Sequence, residues 1–469
     1  MESDPRAVNA SSQAPTLIVG AGIAGLTLAD LLVRAGRPVV LVEAEARVGG
    51  LARSFAYGDA VFDIGPHRFY SAEKRVLEYI QEVVGEDGLW VPMRTAVHLF
   101  GRYHRWPLGP SILFSLPPGV QLQLARDLLT RRRDIHHDFR DEVIGKYGPT
   151  VFDLVFRDQT EKFFGLPAER IDRAWCRLGV EKTVIDKTLD AGSLSRLVVL
   201  LLRRTLRPSS GRLEFLYPRP GIHVFADRLA DRIRVGGGRI IPNLRPEAID
   251  LDGGRVEGVR IGGQRMAVGH VVWTAPLQPL LRLLGLPGLE LSYLDLLIFN
   301  VLVGTDGRWP FQWCYYPARD IAFNRVSLPA NFSPELCPPG KTSLCAEVTC
   351  HPGDPRWHDP RQLAGKIVDD LIRVRFARDR SQFEAVHVEP IPHAYPVYEL
   401  GYQQRLDRSF ADLGRVANLS LAGRTARFWH NNMDESIADA MALAERLLRT
   451  PDAVCGPRDG SRAASPKPG

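Results

Sequence analysis

The chain has 469 residues, 45% of them hydrophobic, six cysteines and a formal net charge of +6. That length allows two or more domains, while no apolar run approaches the about 20 residues of a membrane span: Leu197–Leu202 is short, and Leu294–Val303 is interrupted by Asp295 and Asn300. The cysteines stand at no zinc-ligand spacing and the basic runs, Arg131-Arg132-Arg133 and Arg203-Arg204, lack interleaved aromatics, so neither a metal nor a nucleic-acid partner is expected.

Met1–Ala14 is polar and lacks a signal-peptide core. Residues 1–15 read as a disordered leader, and with scattered free thiols they point to a cytoplasmic setting. A short apolar run, Leu17-Ile18-Val19, then meets Gly20-Ala21-Gly22-Ile23-Ala24-Gly25. A helix-like stretch to Gly36 follows, then a second apolar run, Val39–Val42, ending in Glu43, and then Arg47-Val48-Gly49-Gly50-Leu51. Strand, glycine turn, helix, strand and acid, in that order, are what binding the ADP half of a dinucleotide requires. Gly20 permits the tight turn, Gly22 lets the backbone approach the pyrophosphate, and Gly25 lets the helix pack close to the strand. Glu43 accepts hydrogen bonds from the ribose hydroxyls.

Next come Phe62-Asp63-Ile64-Gly65-Pro66-His67-Arg68-Phe69 and a helix over 72–84. Residues 110–207 read as mostly helical, with leucines at helical spacing around Leu122 to Leu129. From Gly221 the pattern changes to a helix over 223–234, a strand at 239–241, a hairpin turning at Gly253-Gly254 and a buried strand at Val271–Ala275. Residues 291–394 alternate as strands do, with one helix over 362–376. A strand at 419–422, the turn Gly423-Arg424 and a helix over 434–448 close the ordered chain, and 451–469 reads as a disordered tail.

Gly236-Gly237-Gly238 links a helix to a strand, the wrong polarity for phosphates, so a single dinucleotide site serves the whole chain. Glu43 suits FAD or NAD alike. The Arg47–Gly50 turn beside the nucleotide and the distant Gly423-Arg424 turn before a helix favour the longer cofactor, FAD, which has a far end to hold.

The glycine turn, Glu43 and Gly49-Gly50 resemble the FAD unit of the flavin amine oxidase and protoporphyrinogen oxidase superfamily. Phe62–His67 is similar to the segment that passes over the flavin in UDP-galactopyranose mutases, and Thr160-Glu161-Lys162-Phe163-Phe164-Gly165 resembles a TEK-x-W-G segment of that branch. Ala394–Tyr398, Gly423-Arg424 and Asn431-Asn432-Met433-Asp434 continue the likeness. Gln159 and Phe164 depart from it, standing where the mutases carry tyrosine and tryptophan. Leu216–Gly221 looks more like the protoporphyrinogen-oxidase branch.

The resemblance implies an α/β fold: a Rossmann-like FAD-binding domain of the two-domain glutathione-reductase type, with an inserted α+β substrate domain. The FAD domain is expected in three parts, 16–73, 208–279 and 395–450, separated by a mostly helical region, 74–207, and a β-rich substrate domain, 280–394. It implies FAD contacts from Gly20, Gly22, Ala24, Gly25, Glu43, Arg47, Gly49, Gly50, Leu51, Gly65, Pro66, Gly423, Arg424, Met433 and Asp434. His67 is the catalytic candidate by the reactive flavin face. Arg68 either holds an anionic substrate or pairs with a carboxylate, the pairing being favoured. Tyr217, Tyr395 and Tyr398 are candidates to line the substrate cavity. The expected activity is hydride transfer from a small organic substrate to flavin N5, with a non-redox nucleotide-sugar mutase as the alternative. A binding protein of the GDP-dissociation-inhibitor type is disfavoured because the glycine turn and Glu43 are intact, and a soluble NAD dehydrogenase has no need of the C-terminal segment.

Overall fold

The computed structural model describes residues 14–106, 116–130, 137–180, 213–305, 307 and 309–449. The expected tail, most of the expected leader, Arg131–Arg133 and Leu197–Leu202 lie outside these residues.

Strand β1 (Thr16–Val19) runs into helix α1 (Ile23–Arg34) and the chain returns in parallel as β2 (Val39–Val42), paired from Thr16↔Val39 to Val19↔Val42. His270–Trp273 and then Leu419–Leu421 extend the sheet from β1, and Arg239–Ile241 extends it from β2, all in parallel. Unbroken apolar runs suit such a strand because both of its faces are covered. Ile18 and Leu41 pack under α1 and the helices His223–Val235 and Met433–Arg449. Leu17, Val19, Val40 and Val42 pack on the opposite side, against Val256, Val259 and Ile261 of a three-stranded antiparallel sheet. The expected α/β, Rossmann-like architecture is therefore present, built from segments far apart in the chain.

A second, seven-stranded sheet runs in the order Phe383–Pro396, Tyr293–Val303, Thr342–Cys350, Arg325–Ser327, Trp313–Tyr315, Thr95–Leu99 and Arg102–Trp106. One face buries Leu297, Phe299, Val301, Leu344 and Ala346 beneath the helix Ala364–Arg373. On the other face Ile298 and Cys345 pack under the hairpin of β3 (Ser54–Tyr57) and β4 (Ala60–Asp63). The same face carries Glu347, and Arg325 is its direct cross-strand partner. The chain leaves β4 straight into Ile64-Gly65-Pro66-His67.

The expectation of a mostly helical 74–207 fails at residues 88–106, which form the strands Gly88–Pro92, Thr95–Leu99 and Arg102–Trp106. The last two make a hairpin around Phe100 and Gly101, both at positive φ (52° and 71°). Their assignment is settled by distant partners: Thr95–Leu99 pairs in parallel with Trp313–Tyr315, and Gly88–Pro92 pairs antiparallel with Glu214–Pro218. Beyond them the described residues include the helices Pro118–Thr130, Phe139–Tyr147 and Arg157–Phe164, in keeping with the sequence pattern.

Candidate functional site

Two of the three glycines of the Gly20–Gly25 turn are closed in by protein and the third is open. Gly20 has φ +102°, and a Cβ there would lie 2.5 Å from Thr274 Oγ1; one at Gly25 would lie 2.1 Å from the Gly20 carbonyl oxygen. A Cβ at Gly22 would meet nothing within 4 Å, so the motif opens at the position meant to admit a pyrophosphate. Gly22 caps α1 without a side chain, and the first turn of α1 has no acid, leaving its N–H groups and positive dipole end for an external anion.

Gly49 donates its N–H to the Ala21 carbonyl at 2.7 Å, and a Cβ on Gly50 would fall 3.1 Å from Gly22 Cα, so the second turn lies directly on the first. Glu43 is nearly buried and accepts from the Ala21 N–H at 2.7 Å and from the Glu45 N–H at 2.9 Å. Each carboxylate oxygen keeps a further lone pair for a ribose hydroxyl. Arg47 is exposed on this turn, Leu51 is half-buried against the β3–β4 hairpin, and Ala24 is buried.

The C-terminal segment closes on this turn. Gly423 has φ +83°, and a Cβ there would sit 3.0 Å from the Ala24 Cβ. The helix Met433–Arg449 opens with Asp434 and Glu435 in its first turn. Burial, and then the charge of Glu435, lift the Asp434 carboxyl to about 6. Met433 is half-buried against the core beneath α1. These features fit a dinucleotide with a long far end, as FAD has.

A Cβ on Gly65 (φ +72°) would fall 2.8 Å from Glu347 Oε1, so the Gly65-Pro66-His67 segment rides on the second sheet. The His67 Nδ1 lies 3.4 Å from the Gly65 carbonyl, a long contact in which the ring nitrogen donates. Burial and the positive charges of Arg424, Arg325 and Arg68 lower the imidazole to about 3, so His67 is neutral at physiological pH.

Arg325 and Glu347 were not anticipated from sequence. Arg325 donates from Nε to Oε1 and from its terminal nitrogen to Oε2 of Glu347, both at 2.6 Å, and reaches the Tyr395 hydroxyl at 3.3 Å. Neither residue lies in a recognisable motif; what joins them is the sheet register. Arg424 donates to the Ala394 and Asn431 carbonyls, and its guanidinium lies 5.4 Å from the centre of the Tyr395 ring.

Three sequence expectations are corrected. Tyr217 is fully buried, and its hydroxyl donates to Asp63 Oδ2 at 2.5 Å, so it lines no cavity. Asp63 also accepts from Ser54 Oγ at 2.6 Å and from the Ile222 N–H at 3.2 Å, and these bonds clamp the strand end two residues before Gly65. Tyr398 is buried too, with its hydroxyl donating to the Phe428 carbonyl at 3.2 Å and accepting from the His430 N–H at 2.6 Å. Arg68, expected to favour a carboxylate, makes no ion pair among the described residues and instead lies 4.8 Å from the centre of the Trp313 ring. Tyr395, by contrast, is half-buried among Arg325, Arg424 and Phe163.

Among the described residues no cluster of histidine, cysteine or carboxylate side chains could hold a metal ion, and no helix is long and apolar enough to cross a membrane.

Comparison with known proteins fits this geometry. The family model for flavin containing amine oxidoreductases matches residues 23–448. A reduced UDP-galactopyranose mutase structure superposes with a TM-score of 0.78 at 18% identity, covering 93% of this chain and 94% of that one. A protein named for protoporphyrinogen oxidase from Exiguobacterium sp. 255-15 superposes with a TM-score of 0.73 at 19% identity, over 93% and 99% of the two chains. An L-amino-acid oxidase of Crotalus adamanteus is 42% identical over 66 residues, which is 14% of this chain and only 13% of that enzyme.

Proposed function

We propose that this chain, which belongs to the flavin-containing amine oxidoreductase family, oxidises a small organic substrate by hydride transfer to the N5 of FAD. It is a flavin-dependent oxidoreductase, and FAD is its cofactor. When bound, the flavin supplies the two-electron acceptor.

The chain's own residues bind, orient and tune. The Gly20–Gly25 turn and the first turn of α1 take the pyrophosphate, and Glu43 takes the ribose. The N-terminus of Met433–Arg449 would offer its positive dipole end to negative charge on the reduced flavin. Asp434, with its carboxyl lifted to about 6, opposes that charge less than an ordinary carboxylate would. His67 is a neutral hydrogen-bond partner rather than a proton donor, and an anion brought against its arginine neighbours would offset their field and raise its basicity.

The observation that supports this reading is the meeting of Gly423 with Ala24, which brings the two ends of the chain together beside the glycine turn. Retention of yellow absorbance after desalting, followed by substrate-dependent oxygen consumption or dye reduction, is the expected behaviour. A colourless protein would refute it.

The structural likeness to the mutase supports a second reading, a non-redox enzyme acting on a nucleotide sugar. A requirement only for pre-reduced flavin, with an isomeric product and no oxygen uptake, would select it. Against it, Phe164 stands where the mutases carry tryptophan, and it is fully buried, edge-on to Trp175 with the ring centres 4.8 Å apart. It offers no free face for a base.

A further inference from the structure

We propose that Arg68 anchors an oxyanion, a carboxylate or a phosphate, carried by the substrate; this rests on the flavoenzyme reading of the cavity. Three guanidinium groups act on His67. Arg325 is neutralised by its two-bonded pairing with Glu347. Arg424 spends its donors on two carbonyls. Arg68 has neither kind of partner among the described residues. The one acid acting on it, Asp434, does so only through space, while Arg325 repels it.

Its surroundings are short of acceptors. The Arg68 Nε is buried without a hydrogen-bond partner, and so is the indole Nε1 of Trp313, the ring against which the guanidinium packs at 4.8 Å. Arg68 as a whole is half-buried, but these two N–H donors on touching side chains are shut off from water, and a buried donor without an acceptor is costly. A face-on aromatic ring recovers only part of that loss. The group that satisfies both donors and the charge together is an oxyanion.

Titrating the holoenzyme with acetate and, separately, inorganic phosphate at constant ionic strength tests this by the flavin difference spectrum and by melting temperature. A saturable response to at least one anion is expected; a response to acetate alone assigns a carboxylate, and to phosphate alone a phosphoryl group. Arg68→Met should weaken that binding at least tenfold, and Arg68→Lys should restore part of it. No response to either anion, or equal binding by Arg68→Met, would overturn the proposal. So would loss of FAD from Arg68→Met, since the arginine would then serve the cofactor. A wild-type protein that retains no flavin refutes the flavin reading instead, and the melting-temperature arm still decides whether Arg68 binds the anion.

Discussion

At the scale of single residues, the site is pre-arranged before its ligands arrive. Glu43 is oriented by the Ala21 and Glu45 amides. Glu43→Gln would turn an amide N–H towards one of those donors, and an unsatisfied buried pair costs roughly 1–3 kcal/mol; FAD titration of the apoprotein should show affinity falling by about tenfold or more. Tyr217→Phe leaves Asp63 Oδ2 without its donor. Urea unfolding should register a loss of about 1–3 kcal/mol, with FAD still bound. Asp434 gives a pH signature. Its carboxyl titrates at about 6 in the folded chain against the ordinary aspartate value of 3.8, so the folded state holds the proton more tightly and this contribution to stability is full below 3.8 and lost as pH rises through 6. Apoprotein carrying Asp434→Asn should therefore gain melting temperature over the wild type on going from pH 4 to pH 7; a gain that does not grow with pH would contradict this assignment.

At the scale of elements, two connections stand out. The approach of α1 to β1 depends on Gly25, whose added Cβ would strike the Gly20 carbonyl at 2.1 Å, a backbone obstacle that no rotamer change relieves. The other connection is made by the helix Arg157–Phe164, whose Lys162 ammonium donates to the Tyr316, Ala318 and Phe323 carbonyls at 2.7, 2.9 and 2.7 Å. Burial draws this lysine down to about 7, yet three aimed carbonyl dipoles favour the charged form. Glu161 adds an ion pair to Arg319 in the same loop. The segment that resembles a mutase motif thus pins the loop leading into the strand of Arg325. Lys162→Met should cost about 2–4 kcal/mol by leaving buried carbonyls unpaired, read by chemical denaturation. It should also weaken whatever Arg325 helps to hold.

At the scale of the whole molecule, one parallel sheet joins strands from both ends of the chain, and the proposed cofactor site lies on it. Gly423→Val tests that closure: a branched side chain at φ +83°, against Ala24, should separate the C-terminal segment from α1 and lower FAD affinity more than it lowers the stability of the second sheet. The strand–turn–helix–strand unit was legible in the sequence because close backbone approach to phosphates demands glycine at fixed spacing, so Gly20, Gly22 and Gly25 announce the unit locally. The surroundings of His67 and Arg68 were not. Arg325 and Glu347 face each other only through strand register, Trp313 reaches Arg68 only once the second sheet is assembled, and Tyr217 and Tyr398 turned inward to hydrogen-bond partners that no periodicity announces. The sequence by itself determined a dinucleotide-binding α/β protein. The tertiary structure alone decided the charge balance around His67 and Arg68, because burial and the distances between charges exist only after the two sheets have packed.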